Sequence, residues 1–245
     1  MNIAIIPARG GSKRIPRKNV KEFCGKPMIA WSIEAAKESG LFDHIIVSTD
    51  DFEIAEVAKQ WGAEVPFLRP AELSDDYVGT GAVVKHAVEW AISNLGKVDF
   101  VCTIYATAPF VRSTDLLRGL ALLMDSDSQM AFTVTSFPFP IQRAIKITKN
   151  KRVAMFQPEH FFSRSQDLEP AYHDAAQFYW ATLNAITNSV PIFSESSIPV
   201  ILEKYRVQDI DTIEDWIRAE LMMAALSKAD TKMVSAINAE EKDEL

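Results

Sequence analysis

The chain has 245 residues, 48% hydrophobic and 24% charged, with a net charge of −7, which excludes a fibrous or disordered protein and fits a soluble globular one. No apolar run approaches the roughly 18 residues of a membrane span, and no basic start followed by a long apolar stretch reads as a signal peptide. Cys24 and Cys102 are too few for a disulfide framework, so the expectation is a cytoplasmic protein with reduced thiols and no membrane partner.

Residues 2 to 7 (NIAIIP) read as a short buried strand of the kind found in parallel sheets. A basic loop follows, and then PMIAWSIEAAKESG has helical spacing, with proline at its start and Gly40 at its end. HIIVSTD reads as strand, DFEIAEVAKQWG as helix, AEVPFL as a third strand and GAVVKHAVEWAISNLG as helix. VDFVCTIYA is a strand, STDLLRGLALLMD a capped helix and QMAFTVTSF a strand. This alternation predicts an α/β fold with a doubly wound, mostly parallel sheet and sites at the C-terminal strand ends.

The rhythm breaks over residues 137–175, where prolines, scattered aromatics and two short β-like pieces predict a small inserted lobe bearing a hairpin. AQFYWATLNAI returns to strand. IPVILEKYRVQDID then leads to the helix TIEDWIRAELMMAALSK, whose Thr212 and Asp215 form a capping box. One α/β domain is expected over residues 1–228, followed by an acidic, poorly ordered tail over 229–245. The tail ends in Lys-Asp-Glu-Leu, which is read as a chance match to a retrieval address because no entry signal accompanies it.

Residues 9 to 21 hold six of the 26 basic residues and none of the 33 acidic ones, leaving 20 basic against 33 acidic residues elsewhere. An acidic surface disfavours long nucleic acids, whose binding needs many spread phosphate contacts. A compact basic loop suits a small polyanion, or else it is only a solvated charge run. It is not a Walker loop, since Gly25-Lys26 is followed by Pro27, and it lacks the G-x-G-x-x-G of a dinucleotide fold. What remains is a glycine turn whose backbone N–H groups can line an anion site. Arg9, Lys13 and Lys18 would supply charge, and a triphosphate is the obvious guest.

The string A-R-G-G-S-K-R-I-P-R-K-N after a first strand resembles the signature loop of the sugar-acid cytidylyltransferases, the CMP-sialic acid synthetase family. The resemblance continues through FDHIIVSTDD, LRPAELSDD, ATAPF and DIDT, nearly the whole chain in order. IYATAPF and SRSQDLEPAYHDAAQFYW are most similar to the pseudaminic acid cytidylyltransferases. The sialic acid enzymes usually carry Q-P-T-S-P where this chain has Tyr105 to Pro109, and N-G-A-I-Y where it has Ala175 to Tyr179. The pseudaminate enzymes usually have glycine in place of Ala176.

The resemblance implies a nucleotidyltransferase of the nucleotide-diphospho-sugar transferase type. It would join CMP from CTP to pseudaminic acid with magnesium as cofactor; legionaminic and N-acetylneuraminic acids are the alternative substrates. A homodimer paired through the inserted lobe is implied as well. Ala8, Arg9, Gly10, Gly11, Ser12 and Asn19 would hold the nucleotide, Lys13 and Lys18 its phosphates, and Arg69 and Thr80 its base and ribose. For the sugar, Arg164 would meet the carboxylate, with Tyr105, Thr107, His173, Gln177 and Tyr179 around the ring and acyl groups.

Several residues keep two readings. Asp209 and Asp211 alternate around Ile210 and so point to one side of an extended segment. They are oxygen ligands for magnesium, or else Asp211 merely helps cap the helix and neutralises a basic neighbour. Arg14 and Arg17 are phosphate contacts or solvated neighbours, and Asp51 reads as an N-cap. His173 is a general base or a hydrogen-bonded structural histidine. Phe161 and Phe162 read as core or interface, and Met222 and Met223 as packing. Outside the enzyme class, a non-catalytic nucleotide- or RNA-binding module would also use the basic loop, although no aromatic stacking motif supports RNA.

Overall fold

The computed structural model of the chain describes residues 1–75 and 78–243, those from 229 onward as backbone alone. The first strand, β1 (Asn2–Pro7), ends at the basic loop, and a small hairpin of β2 (Glu22–Phe23) and β3 (Lys26–Pro27) follows. Next come α1 (Met28–Ser39), β4 (His44–Ser48), α2 (Phe52–Gln60), α3 (Thr80–Asn94), β5 (Phe100–Ile104) and α4 (Ser113–Met124). After β6 (Met130–Ser136), the inserted lobe carries a hairpin of β7 (Ile145–Ile147) and β8 (Val153–Met155). The chain closes with β9 (Tyr172–Thr182), α5 (Leu183–Thr187), β10 (Ser197–Ile201) and α6 (Ile213–Asp243).

Among the described residues one sheet has six strands in the order β10-β6-β9-β5-β1-β4. β1 pairs in parallel with β4 and β5, and β10 with β6, while β9 runs antiparallel between β5 and β6. Alternation along each strand divides the core between two faces. Ala4, Ile6, Val47 and Ile104 pack with Ile33 of α1, Ile54 of α2 and Leu116 of α4. Ile3, Ile5, Ile46 and Val101 pack with Val84 and Val88 of α3 on the other face. This is the doubly wound, mostly parallel sheet that the alternating pattern predicts.

Glycine sets the seat of α4. A Cβ at Gly119 would fall 2.8 Å from the Phe178 ring and 2.9 Å from that of Trp180, so only glycine lets α4 lie this close to β9. Asp51 caps α2 by accepting from Ile54 N at 3.0 Å. Thr212 and Asp215 form a reciprocal box at α6: Thr212 N donates to the Asp215 carboxylate at 2.8 Å, and Asp215 N to Thr212 Oγ1 at 3.2 Å.

Two sequence expectations need correction. AEVPFL pairs with the sheet only at Glu64 and Leu68, through isolated bridges to Ile46 and Thr49; Pro66 between them cannot donate to a continuous ladder. AQFYWATLNAI is not strand to its end. Thr182 Oγ1 accepts from Ala185 N at 3.2 Å and starts α5. The side chains of the acidic tail, and its final Lys-Asp-Glu-Leu, lie outside the described residues; the backbone continues α6 to Asp243.

Candidate active site

The basic loop leaves the C-terminal end of β1 and is tied to the neighbouring end of β4. Gly10 N donates to Asp50 Oδ1 at 2.9 Å. A Cβ on Gly10 would lie 2.7 Å from Asp51 Oδ2, so a larger residue would displace either the loop or the Asp51 side chain. Asn19 Nδ2 donates to Arg9 O at 2.9 Å and closes the loop on itself. Arg17, at φ 56°, forks onto Asp51 at 2.5 and 2.9 Å and also reaches Glu53. Hydrogen bonds from Arg17 hold the Asp51 carboxyl well below its ordinary 3.8, at about 2. Arg17 is therefore a structural clamp rather than a cation aimed at the cleft.

A small apolar cluster draws the far end of the sequence to this loop. Ile15, Phe23, Met28, Phe110, Ile210 and Trp216 pack together, with Ile15 and Ile210 almost wholly buried. Burying an isoleucine contributes about 1.5–3 kcal/mol, which explains why one sits amid basic residues and another between two aspartates. With Ile210 inward, alternation turns its acidic neighbours toward the loop. Lys18 Nζ donates to Ile210 O at 2.5 Å and lies 3.4 Å from Asp211 Oδ1, and Arg14 pairs with Asp211 at 2.8 Å. Burial, then the Asp211 charge, raise the Asp209 carboxyl above the ordinary range. The basic loop and the acidic pair thus converge, and Arg14 is a partner of Asp211.

Two cavities open along this cleft. The first, about 430 Å³, is lined by Arg9, Ser12, Lys13, Lys18 and Asn19 from the loop, by Arg69 and Thr80, and by Asp209 and Asp211. Arg69 is buried, donates to Ser48 O at 2.9 Å, and leaves its Nε without a hydrogen-bond partner. Burial lowers its basicity, the Asp50 charge partly opposes that and nearby Arg9 adds to it. Ala8, Gly10 and Gly11 shape the loop's backbone but do not line the cavity wall. The second cavity, about 1180 Å³, is lined by His173, Asp174, Tyr179, Lys204, Arg218 and Met222 among others. Tyr105 and Asp209 line both cavities.

The candidate sugar residues separate. Tyr105 stands where the cavities meet, Thr107 lines the first, and His173 and Tyr179 line the second. Tyr179 donates to Asp174 Oδ2 at 2.7 Å; burial, then Tyr105 and Asp174, raise its pKa, so it stays neutral. His173 Nδ1 lies 2.8 Å from the Asp174 carbonyl. A carbonyl only accepts, so this contact fixes the Nδ1–H tautomer and leaves Nε2 as the ring's proton acceptor. Gln177 lines neither cavity: it is 3% exposed and donates to Arg206 O at 2.8 Å. Arg164 also lies outside both cavities, with its side chain 72% exposed on the inserted lobe and paired with Asp167 at 2.7 Å.

Three cations of the second cavity, Arg112, Lys204 and Arg218, carry no motif signal in the sequence. The departure at Ala176 has a clear physical expression. It sits at φ 52°, where the β6–β9 register shifts, and its N–H donates to Asp174 Oδ1 at 2.8 Å. A left-handed position favours glycine. As for a metal, no cluster of three or more His, Cys, Asp or Glu occurs among the described residues. Two carboxylates suffice for magnesium only if phosphate oxygens and water complete the shell, as they ordinarily do.

The family model described as cytidylyltransferase matches residues 3–230. The chain belongs to the cytidylyltransferase family. It is 47% identical to a pseudaminic acid cytidylyltransferase of Campylobacter jejuni over 90% of this chain and 95% of that one. It is 33% identical to a CMP-N,N'-diacetyllegionaminic acid synthase of Legionella pneumophila, again over 90% and 95%. Among solved structures it resembles a CMP:2-keto-3-deoxy-manno-octonic acid synthetase complexed with CTP, at TM-score 0.67 and 16% identity, over 91% of this chain and 98% of that one. That last likeness concerns the fold.

Proposed function

We propose that the protein transfers CMP from CTP to the anomeric hydroxyl of pseudaminic acid, giving CMP-pseudaminic acid and pyrophosphate. The observation that carries this reading is the pair of cavities meeting at Tyr105 and Asp209. The smaller, basic one suits a nucleoside triphosphate. The larger one has an apolar wall and several polar groups, as an acylated acidic sugar requires. The 47% identity to the Campylobacter jejuni enzyme favours pseudaminate over legionaminate within that class.

In this reading the sugar hydroxyl attacks the α-phosphorus from the second cavity. The new O–P bond forms as the bond to the β-phosphate oxygen breaks, and pyrophosphate leaves. Lys13 and Lys18 offset the charge that accumulates on the phosphoryl oxygens and the leaving group. Asp209 and Asp211 would hold magnesium, which when bound neutralises phosphate charge and orients the triphosphate. Arg69 and Thr80 would face the base and ribose. His173 Nε2 is the candidate acceptor for the hydroxyl proton.

The inserted lobe exposes Ile147, Val153, Phe161 and Phe162, and we assign it to contact with a second copy of the chain. Arg164 could meet the sugar carboxylate only from a second copy's lobe; within one chain that role falls to Arg112, Lys204 or Arg218. We assign the reaction to the cytoplasm, in keeping with the lack, among the described residues, of any helix long and apolar enough to cross a membrane. The test is pyrophosphate release with CTP, magnesium and a panel of nonulosonic acids. Release highest with pseudaminic acid supports the proposal, release highest with legionaminic acid moves the substrate, and CTP binding without turnover overturns the enzymatic reading.

A further inference from the structure

Between β10 and α6 the chain carries the acidic pair on a segment with little regular structure: a short 3-10 turn, Lys204–Arg206, and then Val207 to Asp211 in no element. Arg206 is nonetheless among the most firmly held side chains described. It is 3% exposed and forks onto Asp115 of α4, itself 5% exposed, at 2.5 and 3.0 Å. Its Nε donates to Glu203 at 2.5 Å. Burial lowers the basicity of Arg206, but the hydrogen bonds and charges of Asp115 and Glu203 together outweigh it, and the net direction is upward. Its carbonyl accepts from Gln177 Nε2 at 2.8 Å, while the carbonyl of Gln177 accepts from Tyr105 N at 3.0 Å.

Stability alone is a weak reason for such an arrangement. A buried ion pair replaced by packed apolar side chains is often no less stable, because two desolvated charges are costly to bury. What the arrangement does supply is position. The side chain of Arg206 is fixed to α4 and its carbonyl to β9, two elements that Gly119 lets pack at close range. Asp209 stands three residues further on and Asp211 five. Through Gln177, the same tie reaches Tyr105, where the two cavities meet.

We infer that Arg206 is a positioning residue: braced by Asp115 and Gln177, it sets where Asp209 and Asp211 stand in the cleft while lining neither of its two cavities. This rests on the reading of the acidic pair as the magnesium ligands. Groups that orient metal ligands characteristically change metal affinity or activity by about 10- to 100-fold when removed.

The test uses the whole chain with CTP and Mn2+ as the metal probe, free Mn2+ being read by its electron paramagnetic resonance signal. Asp115→Leu combined with Arg206→Met replaces the pair by apolar side chains. The expected result is a cooperative melt close to the parent's, Mn2+ affinity in the presence of CTP lowered about tenfold, and kcat lowered with KM for the sugar acid unchanged. Gln177→Met, which leaves both charges paired, should lower Mn2+ affinity in the same direction by a few-fold, and it serves if the double variant does not fold. Parent-like Mn2+ affinity and kcat in either folded variant would overturn the inference. Asp211→Asn separates the two levels: if it loses Mn2+ while the positioning variants keep it, only the positioning role fails. If Asp211→Asn itself keeps Mn2+, the metal reading fails and the inference with it.

Discussion

The two sides of the cleft carry opposite charges and are secured in opposite ways. On the basic side, the loop is pinned by an ion pair near the surface, with the side chains of Arg17 and Asp51 39% and 22% exposed, and by Gly10 N on Asp50. On the acidic side, the segment bearing Asp209 and Asp211 is pinned by Arg206 and Asp115, whose side chains are 4% and 7% exposed. An exposed clamp responds to salt and acid, because water and ions screen it. A buried one is shielded from both but tolerates single truncation poorly, since a lost partner leaves a charge unpaired in the interior. In the proposed function, the side that would accept and release a polyanion is held by the adjustable clamp, and the side that would hold a metal ion by the rigid one.

The largest expected effect comes from the residue that joins the two sides. Lys18→Ala should lower kcat by about 10²- to 10³-fold, the usual cost of one fixed charge-stabilising group, with a cooperative melt retained. Turnover within a few-fold of the parent would show that the sides do not act on one triphosphate. Next comes the clamp. A depressed aspartate contributes stability that is full above its unfolded value, near pH 4, and is lost as pH falls toward the folded value of about 2. Discounted for exposure, Arg17→Met should cost about 1 kcal/mol at pH 6 and low salt. Urea midpoints should show that gap closing between pH 4 and pH 2, and narrowing in 1 M salt. A gap indifferent to both would mean that the clamp is not ionic in origin.

The smallest effect concerns the bulge beside the second cavity. At φ 52°, Ala176 bears left-handed strain that glycine would not, offset by the greater freedom glycine gives the unfolded chain. Ala176→Gly should therefore stabilise the protein by less than about 1 kcal/mol, raising the melting midpoint by about 2 °C. A fall in the midpoint would contradict that assignment of strain.

What the sequence revealed follows the same division. The basic side was legible because its signals are local: a buried strand, two glycines and a run of cations lie within one short stretch. The layers of the sheet were legible from the alternation of apolar residues on β1 and of strands with helices. The acidic pair was visible as Asp-Ile-Asp, but its anchor was not, because Arg206 and Asp115 stand 91 residues apart and neither belongs to a motif. Gln177 read as a sugar contact because it lies in a recognisable stretch, yet tertiary packing turned its side chain toward the Arg206 carbonyl. Arg164 read as a pocket cation, and the inserted lobe carried it to an exposed position, where no pattern along the chain could place it. The central antiparallel β9 was likewise recognisable as a strand without its direction being given.

The convergence of both sides on one triphosphate is tested most directly by growing crystals with CTP and Mn2+ and recording anomalous scattering from the manganese. The account predicts a metal peak in coordination contact with Asp211, bridged by phosphate oxygens to a nucleotide whose other phosphates meet Lys13 and Lys18. Nucleotide bound against the basic loop with its metal remote from Asp209 and Asp211, or a triphosphate seated outside the cleft, would contradict it.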